Sequence, residues 1–476
     1  MTQIKSSQTS KRQIKVRALT SVACVVAGLF FQAFEKDPKT SVKESSSAVS
    51  SGKSANETES SVDPNSENAS QKIGGSFQNQ GYRDPREELT NERHAFKTPF
   101  GQVIWRDLEK RLTVRDRAVY ADYKGYKLKL TIQPELQAAI EKTLSTQRNI
   151  AGAVVILETR TGRILAMAET RGDSRSPLVT DESILVAARA PAASLMKIVT
   201  ATAAIEKNGM EPEQEIPFQG GCGNLRNRNW LRDNQTDRQH MTFSHAFGVS
   251  CNTVFARLAL YETGLASLRQ YAEKYMFNRP IPSDLRIETS AALMPALEMA
   301  TALEVGEAGA GFGASKISPV HAALLSAAAG NSGVLMAPYL VDSAYDSSGK
   351  QVYSATPLEI SRIFSKKTAD RMQRLMQETI LAGTSRKYFR RKGTAVDRFE
   401  IGGKTGTLSD AEERGTLYTW FSGVAPLESP QNVAIGTVVA SPKNWVVRAS
   451  SLAQISLAQY LKIDRQDKKA LERISQ

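Results

Sequence analysis

The sequence predicts a mixed α/β protein of the α+β kind, and three stretches carry that expectation. KLKLTIQPELQAAIEKTL, from Lys127, reads as a strand, a turn at Pro134 and a helix from Glu135 with apolar residues at helical spacing. AGAVVILETRTGRILAMAE, from Ala151, is two β-rich runs joined at Arg160-Thr161-Gly162, the pattern of a hairpin. SLMKIVTATAAIEK, from Ser194, follows Pro191 and precedes Gly209, so a helix is expected over 194–207 with glycine just past its end. A chain of 476 residues suits one large domain, or two ordinary ones, with tails. No internal repeat is visible.

The amino terminus carries Lys11, Arg12, Lys15 and Arg17, followed by the apolar run ALTSVACVVAGLFFQAF over 18–34. Basic residues before one apolar stretch indicate an export signal or an anchor. No small-x-small cleavage site follows, so the expectation is a single-pass anchor with residues 1–17 as a cytoplasmic basic tail and the rest outside, in the periplasm or its equivalent. A cleaved signal peptide is the alternative. Residues 35–83 are rich in Ser, Asn, Lys, Glu and Gly and poor in large apolar side chains, which cannot offset the entropy of ordering them. They are expected to be a disordered tether. Residues 84–125 read as a small lead-in region, 126–465 as the globular body and 466–476 as a polar tail.

The net charge of +13 invites a nucleic-acid reading, but no basic helix interleaved with aromatics is present and the basic residues are spread along the chain. An anionic surface, such as a membrane or a wall polymer, is the better match. Three cysteines exclude a disulfide-dense scaffold and a cysteine-rich zinc cluster. Cys24 lies in the apolar run. Cys222 and Cys251 read as two small buried hydrophobes, although an oxidising compartment would let them pair. His94, His240, His245 and His321 show no metal-ligand spacing and read as ordinary polar residues. Neither a metal nor a cofactor is expected.

Three short motifs carry the chemistry. Ser194 and Lys197, three apart at a helix start, lie on one helix face in apolar surroundings. Burial makes the lysine amine a better base, the serine hydroxyl is within its reach, and free N–H groups at the helix start can bind an oxyanion. Taken alone, the pair also fits a serine N-cap with a snorkelling lysine, and S-x-x-K recurs at Ser50/Lys53 and Ser347/Lys350 in polar settings. Ser250-Cys251-Asn252 precedes a second apolar helix, where ordinary capping is the alternative. Lys404-Thr405-Gly406-Thr407 follows Gly402 and Gly403 and begins an expected strand; K-T-G occurs nowhere else in the chain.

In the order S-x-x-K, S-x-N, K-T-G, the chain resembles the penicillin-binding proteins, the acyl-serine D,D-transpeptidases of cell-wall synthesis. The resemblance runs from about Lys127 to Leu461 and takes in YTWFSGVAP and NVAIGTVVAS as paired strands, AGAGFGASKISP as a glycine-rich turn before a helix, and ASSLAQISLAQYL as a closing helix. No glycosyltransferase motif precedes it, which fits monofunctional, class B-like members better than bifunctional ones.

The resemblance implies the penicillin-binding-protein/β-lactamase-like transpeptidase fold: an antiparallel sheet flanked by helices, an all-helical subdomain, and the site between them. It implies Ser194 as nucleophile on a stem peptide ending in D-Ala-D-Ala and Lys197 as base. It also implies Ser250 as proton relay, Asn252 as a hydrogen bonder to substrate, and Lys404 as a positive field acting on Lys197 and on the substrate carboxylate. Thr405 and Thr407 would bind that carboxylate, Gly406 would leave room for the peptide, and the N–H groups of Ser194 and Thr407 would form an oxyanion hole. β-Lactams become covalent inhibitors on this reading, and the membrane and other wall-synthesis proteins become partners. A D,D-carboxypeptidase or serine β-lactamase is the alternative within the class. A non-catalytic wall-binding or β-lactam-sensing protein is the alternative outside it.

Overall fold

A computed structural model describes residues 97–474, other than 148–149, 173–175, 224, 227–228, 233–236, 411–415 and 443–446. The basic tail, the anchor, the tether, His94 and Cys24 lie outside the described residues. Among the described residues no helix is long and apolar enough to cross a membrane.

The main sheet has five antiparallel strands. They are β4 (Ala151–Glu158), β5 (Ile164–Thr170), β8 (Gly402–Asp410), β9 (Thr416–Ala425) and β10 (Val433–Ser441), in spatial order β8-β9-β10-β4-β5. The hairpin expected at Arg160–Gly162 joins β4 to β5, and the pairs β8–β9 and β9–β10 run in unbroken register. Strand alternation sends successive β4 residues to opposite faces. Ala151, Ala153, Val155 and Leu157 join one apolar core, and Val154 and Ile156 join the other. Both faces are therefore covered, which explains why these strands read as nearly continuous apolar runs.

Helix α7 (Pro319–Gly330) lies on one face and is buried along almost its whole length. Ser318 caps it by accepting a hydrogen bond from His321 N–H, and Pro319 occupies its first position, as ISPVHAALL suggests. Ser422 Oγ donates to Ala322 O at 2.7 Å and Ser326 Oγ donates to Gly423 O at 2.8 Å, pinning helix to sheet. The opposite face is covered by α1 (Pro134–Ser145) and by the closing helix α9 (Ala449–Ile474), through Leu136, Ile140, Leu452 and Leu457. The helix of α9 continues through the stretch expected to be a polar tail.

The second layer of helices comprises α2 (Met196–Asn208), α3 (Phe243–Gly248), α4 (Asn252–Arg257), α5 (Gly264–Lys274), α6 (Ala302–Ala310) and α8 (Lys366–Leu381). Helix α2 ends at Gly209 in the left-handed conformation, as the sequence predicts. Its start differs from expectation. A 3-10 turn over Ala193–Leu195 precedes it, and Ala193 at its head is left-handed at φ +49°.

A second five-stranded sheet contains β1 (Thr113–Arg115), β2 (Ala118–Tyr123), β3 (Tyr126–Leu130), β6 (Val341–Tyr345) and β7 (Gln351–Ser354), paired in that order. The turn at Lys124–Gly125 makes β2 and β3 a hairpin, so this sheet bridges the expected lead-in region and the expected body. Asp284 locks it in place. Its carboxylate is fully buried and accepts from Leu340 N at 2.9 Å and Val341 N at 2.8 Å, while its carbonyl accepts from Val103 N at 2.7 Å. Burial pushes this carboxyl up to about 7, against the lowering effect of those N–H donors.

Replacing Asp284 by Asn would set an amide N–H₂ against one of two backbone donors. We expect Asp284→Asn to cost about 1–3 kcal/mol in equilibrium denaturation; an unchanged midpoint and slope would show that the carboxylate bears no such load.

Candidate active site

The site begins with the turn that carries Ser194. Ala192 N donates to Ser315 O at 2.8 Å, and the indole of Trp420, on β9, donates to Pro191 O at 2.8 Å. Gly311, just past α6, lies against the same turn. A Cβ on Gly311 would stand 2.1 Å from Ala193 O, and its φ of +88° also favours glycine. Two hydrogen bonds thus fix the residues just before the left-handed Ala193, and Gly311 leaves room for its carbonyl; local strain of this kind is one that surrounding structure must enforce.

Lys197 follows one turn down α2 and is completely buried. Its Nζ is 2.8 Å from Ser194 Oγ, 2.7 Å from Asn252 Oδ1 and 2.6 Å from Ala310 O. An ammonium would donate to all three. A neutral amine would donate to the two carbonyl oxygens and keep its lone pair for the Ser194 hydroxyl. Burial decides between them: it lowers the Lys197 pKa well below the ordinary lysine value, and the charge of Lys404 lowers it further. The ring of Phe255, 5.7 Å from Nζ, favours the cation only weakly by comparison.

Asn252 opens α4. Its Nδ2 donates to Gly223 O at 2.7 Å, so both ends of its amide are engaged by protein groups. Its position holds Lys197, a task not anticipated when it was expected to bond substrate. Cys251 beside it is joined to Cys222 by a disulfide, which corrects the reading of two separate hydrophobes. The bond, Asn252 N–H to Cys222 O at 3.3 Å, and Thr253 Oγ1 to Gly221 O at 2.5 Å tie the S-x-N turn to the 221–223 loop. Sequence spacing gave no distance from which to deduce that pairing. Ser250 sits in this turn at φ +61°, and among the described residues its hydroxyl forms no hydrogen bond to either lysine.

Strand β8 supplies the third motif from the sheet edge. Lys404 is fully buried, donates to Thr405 O at 3.1 Å and lies 5.4 Å from the centroid of Phe247. Burial pushes its amine down to about 7. A Cβ on Gly406 would meet Trp420 Cβ at 3.1 Å and Ala192 O at 3.4 Å, so this glycine lets the strand approach the turn that carries Ser194. Thr405 and Thr407 are two apart and share one side of the strand. Thr405 is partly exposed and Thr407 exposed.

Sequence reasoning missed Trp420, Gly311 and the Ala310 carbonyl. AGAGFG was visible as a glycine-rich turn, but nothing in it pointed at the lysine. The histidines are not ligands of any metal-competent group among the described residues. His321 is buried and lowered to about 4 by burial, its Nε2 2.6 Å from Tyr275 O. His245 Nδ1 lies 3.0 Å from Glu378 Oε1, an acidic partner distant in sequence.

Residues 152–457 match the family described as penicillin binding protein transpeptidase domain. The chain is 25% identical over 351 residues to the peptidoglycan D,D-transpeptidase PbpA of Mycolicibacterium smegmatis, a match covering 67% of this chain and 68% of that one. Among solved structures it is similar to the D,D-transpeptidase domain of a peptidoglycan glycosyltransferase from Eggerthella lenta, with a TM-score of 0.59, 25% identity and coverage of 71% and 83%. PBPA from Mycobacterium tuberculosis shares the fold at a TM-score of 0.57 and 22% identity, with coverage of 70% and 81%.

Lys404 costs stability at every pH below its ordinary value of 10.5: from there down to about 7 the folded chain must shed a proton that the unfolded chain keeps. Below about pH 7 the folded protein must bury an ammonium that the unfolded chain solvates. Lys404→Met should therefore melt no lower than wild type, and its advantage should grow as pH falls towards 7 and level off below, while acylation by a penicillin drops at least tenfold. Melting scans at several pH values with parallel acylation rates check this; a lower melting temperature with normal acylation contradicts it.

Proposed function

This chain belongs to the penicillin-binding-protein transpeptidase family, and we propose that it is a membrane-tethered peptidoglycan D,D-transpeptidase working through a Ser194 acyl-enzyme. The observation that carries the reading is the buried Lys197 amine, 2.8 Å from Ser194 Oγ and held by two carbonyl oxygens.

Ser194 Oγ attacks the carbonyl joining the two terminal D-alanines of a stem peptide, and its proton passes to Lys197 Nζ. The anionic tetrahedral oxygen is received by the N–H groups of Ser194 and Thr407; one such donor typically contributes about 10²–10³ in rate. Collapse breaks the C–N bond. The departing D-alanine amine takes the proton, with Ser250 as relay once substrate closes the gap to Lys197. The resulting ester is attacked by an amine of a second stem peptide, which forms the cross-link and frees Ser194. Lys404, Thr405 and Thr407 hold the terminal carboxylate. A β-lactam enters by the same first step, but its cleaved ring stays attached, so no leaving group departs to make way for the acceptor.

We further assign residues 1–17 to the cytoplasm, 18–34 to a membrane anchor and 35–83 to a tether, placing the catalytic body outside. The Cys222–Cys251 disulfide supports that compartment, because such bonds persist where the surroundings are oxidising. Stem peptides ending in D-Ala-D-Ala are the substrates, and other wall-synthesis proteins are the partners expected at the membrane.

Intact-mass analysis after penicillin treatment tests the reading. We expect one adduct per chain, mapping to the peptide with Ser194 and lasting many minutes, and its loss by at least a thousandfold in rate in Ser194→Ala with an unchanged melting curve. Full labelling of that variant would remove Ser194 as nucleophile; immediate turnover of the adduct by wild type would favour a β-lactamase.

A further inference from the structure

The K-T-G threonine Thr405 has a neighbour that none of the three motifs contains. Thr384, in the loop after α8, has its hydroxyl oxygen 2.6 Å from Thr405 Oγ1. Thr384 also reaches the S-x-N side of the cleft: its backbone N donates to Gly248 O at 3.0 Å, and its Oγ1 lies 3.3 Å from the same oxygen. Gly248 closes α3, two residues before Ser250.

The loop that carries Thr384 is held firmly. Gly383 N donates to Glu378 O at 2.7 Å, and a Cβ on Gly383 would stand 2.2 Å from Gly248 O. Ser385 is buried; its N donates to Thr379 O at 3.0 Å and its Oγ is 2.9 Å from Ser450 Oγ on α9. Anchored on both flanks, the Thr384 side chain has little freedom to leave Thr405, although it is itself exposed.

A hydroxyl has one proton and two acceptor sites. With Thr384 O–H donating to Gly248 O, Thr384 Oγ1 can accept from Thr405, which fixes the rotamer of the Thr405 hydroxyl. With Thr384 O–H donating to Thr405, the Thr405 proton is left to point into the cleft, towards an anion. A carboxylate arriving at Thr405 favours the second arrangement, since it needs that proton. We propose that Thr384 is a positioning residue for carboxylate recognition, acting through Thr405 to set the aim of its hydroxyl proton. This rests on the transpeptidase reading above, in which Thr405 meets the substrate carboxylate.

The test compares acylation of the full chain by a carboxylate-bearing penicillin and by its methyl ester, in wild type, Thr384→Val, Thr384→Ser and Thr405→Val. Valine keeps the shape and removes the hydroxyl; serine restores it. Thr384→Val is expected to slow acylation by the acid about five- to tenfold, the size of one lost hydrogen bond, and to leave the ester within twofold. Thr384→Ser should stay within twofold of wild type for both. In a Thr405→Val background, adding Thr384→Val should have no further effect on the acid, the signature of two groups acting as one.

Equal acid rates in wild type and Thr384→Val, equal losses for acid and ester, or full additivity with Thr405→Val would each overturn the proposal while leaving the transpeptidase reading intact. A wild-type chain that forms no adduct at all would overturn both.

Discussion

The structure depends on keeping one amine buried. Lys197 sits where water cannot reach it, and a charged ammonium there would carry a large desolvation cost. Two carbonyl oxygens, one from Asn252 and one from Ala310, accept hydrogen bonds that the amine would otherwise lose. The remaining direction leads to Ser194. Burial therefore does two things together: it makes the amine a base, and it limits what that base can act on.

Each partner of Lys197 is held by something else. Asn252 is held by the Gly223 carbonyl and by the disulfide beside it. Ala310 is held at the end of α6, where Thr200 Oγ1 on α2 also donates to Gly309 O at 2.8 Å. Ser194 is held by the Pro191–Trp420 and Ala192–Ser315 hydrogen bonds. Helix α6 starts with a reciprocal capping box between Thr301 and Glu304, which secures the far end of the same support. Rigidity of this kind is what a catalytic geometry needs, since small displacements are costly in rate.

The second amine shows how the two halves of the site communicate without touching. Lys404 lies on the sheet and Lys197 on a helix, yet the charge of one disfavours charge on the other. Both rest near aromatic rings, Phe247 and Phe255, whose centroids are 6.1 Å apart. The low-polarity bed lengthens the reach of each charge.

Local pattern determined the parts of this protein: the β4–β5 hairpin, the helix ending at Gly209, the Ser-Pro helix start at Ser318–Pro319, and the three motifs with their reactive side chains. Those features follow from backbone preferences and residue chemistry, which act over a few positions. The α-helix α2 starts two residues later than expected, behind a 3-10 turn whose left-handed Ala193 lies against Gly311, 118 positions away, a contact that no local preference encodes. The Cys222–Cys251 bond, the Ala310 and Gly223 carbonyls, the Trp420 anchor and the Thr384–Thr405 pair were decided by tertiary structure alone. Backbone oxygens are the same in every residue and distances between remote segments leave no trace in spacing, so only the folded chain brings them to the amine they serve.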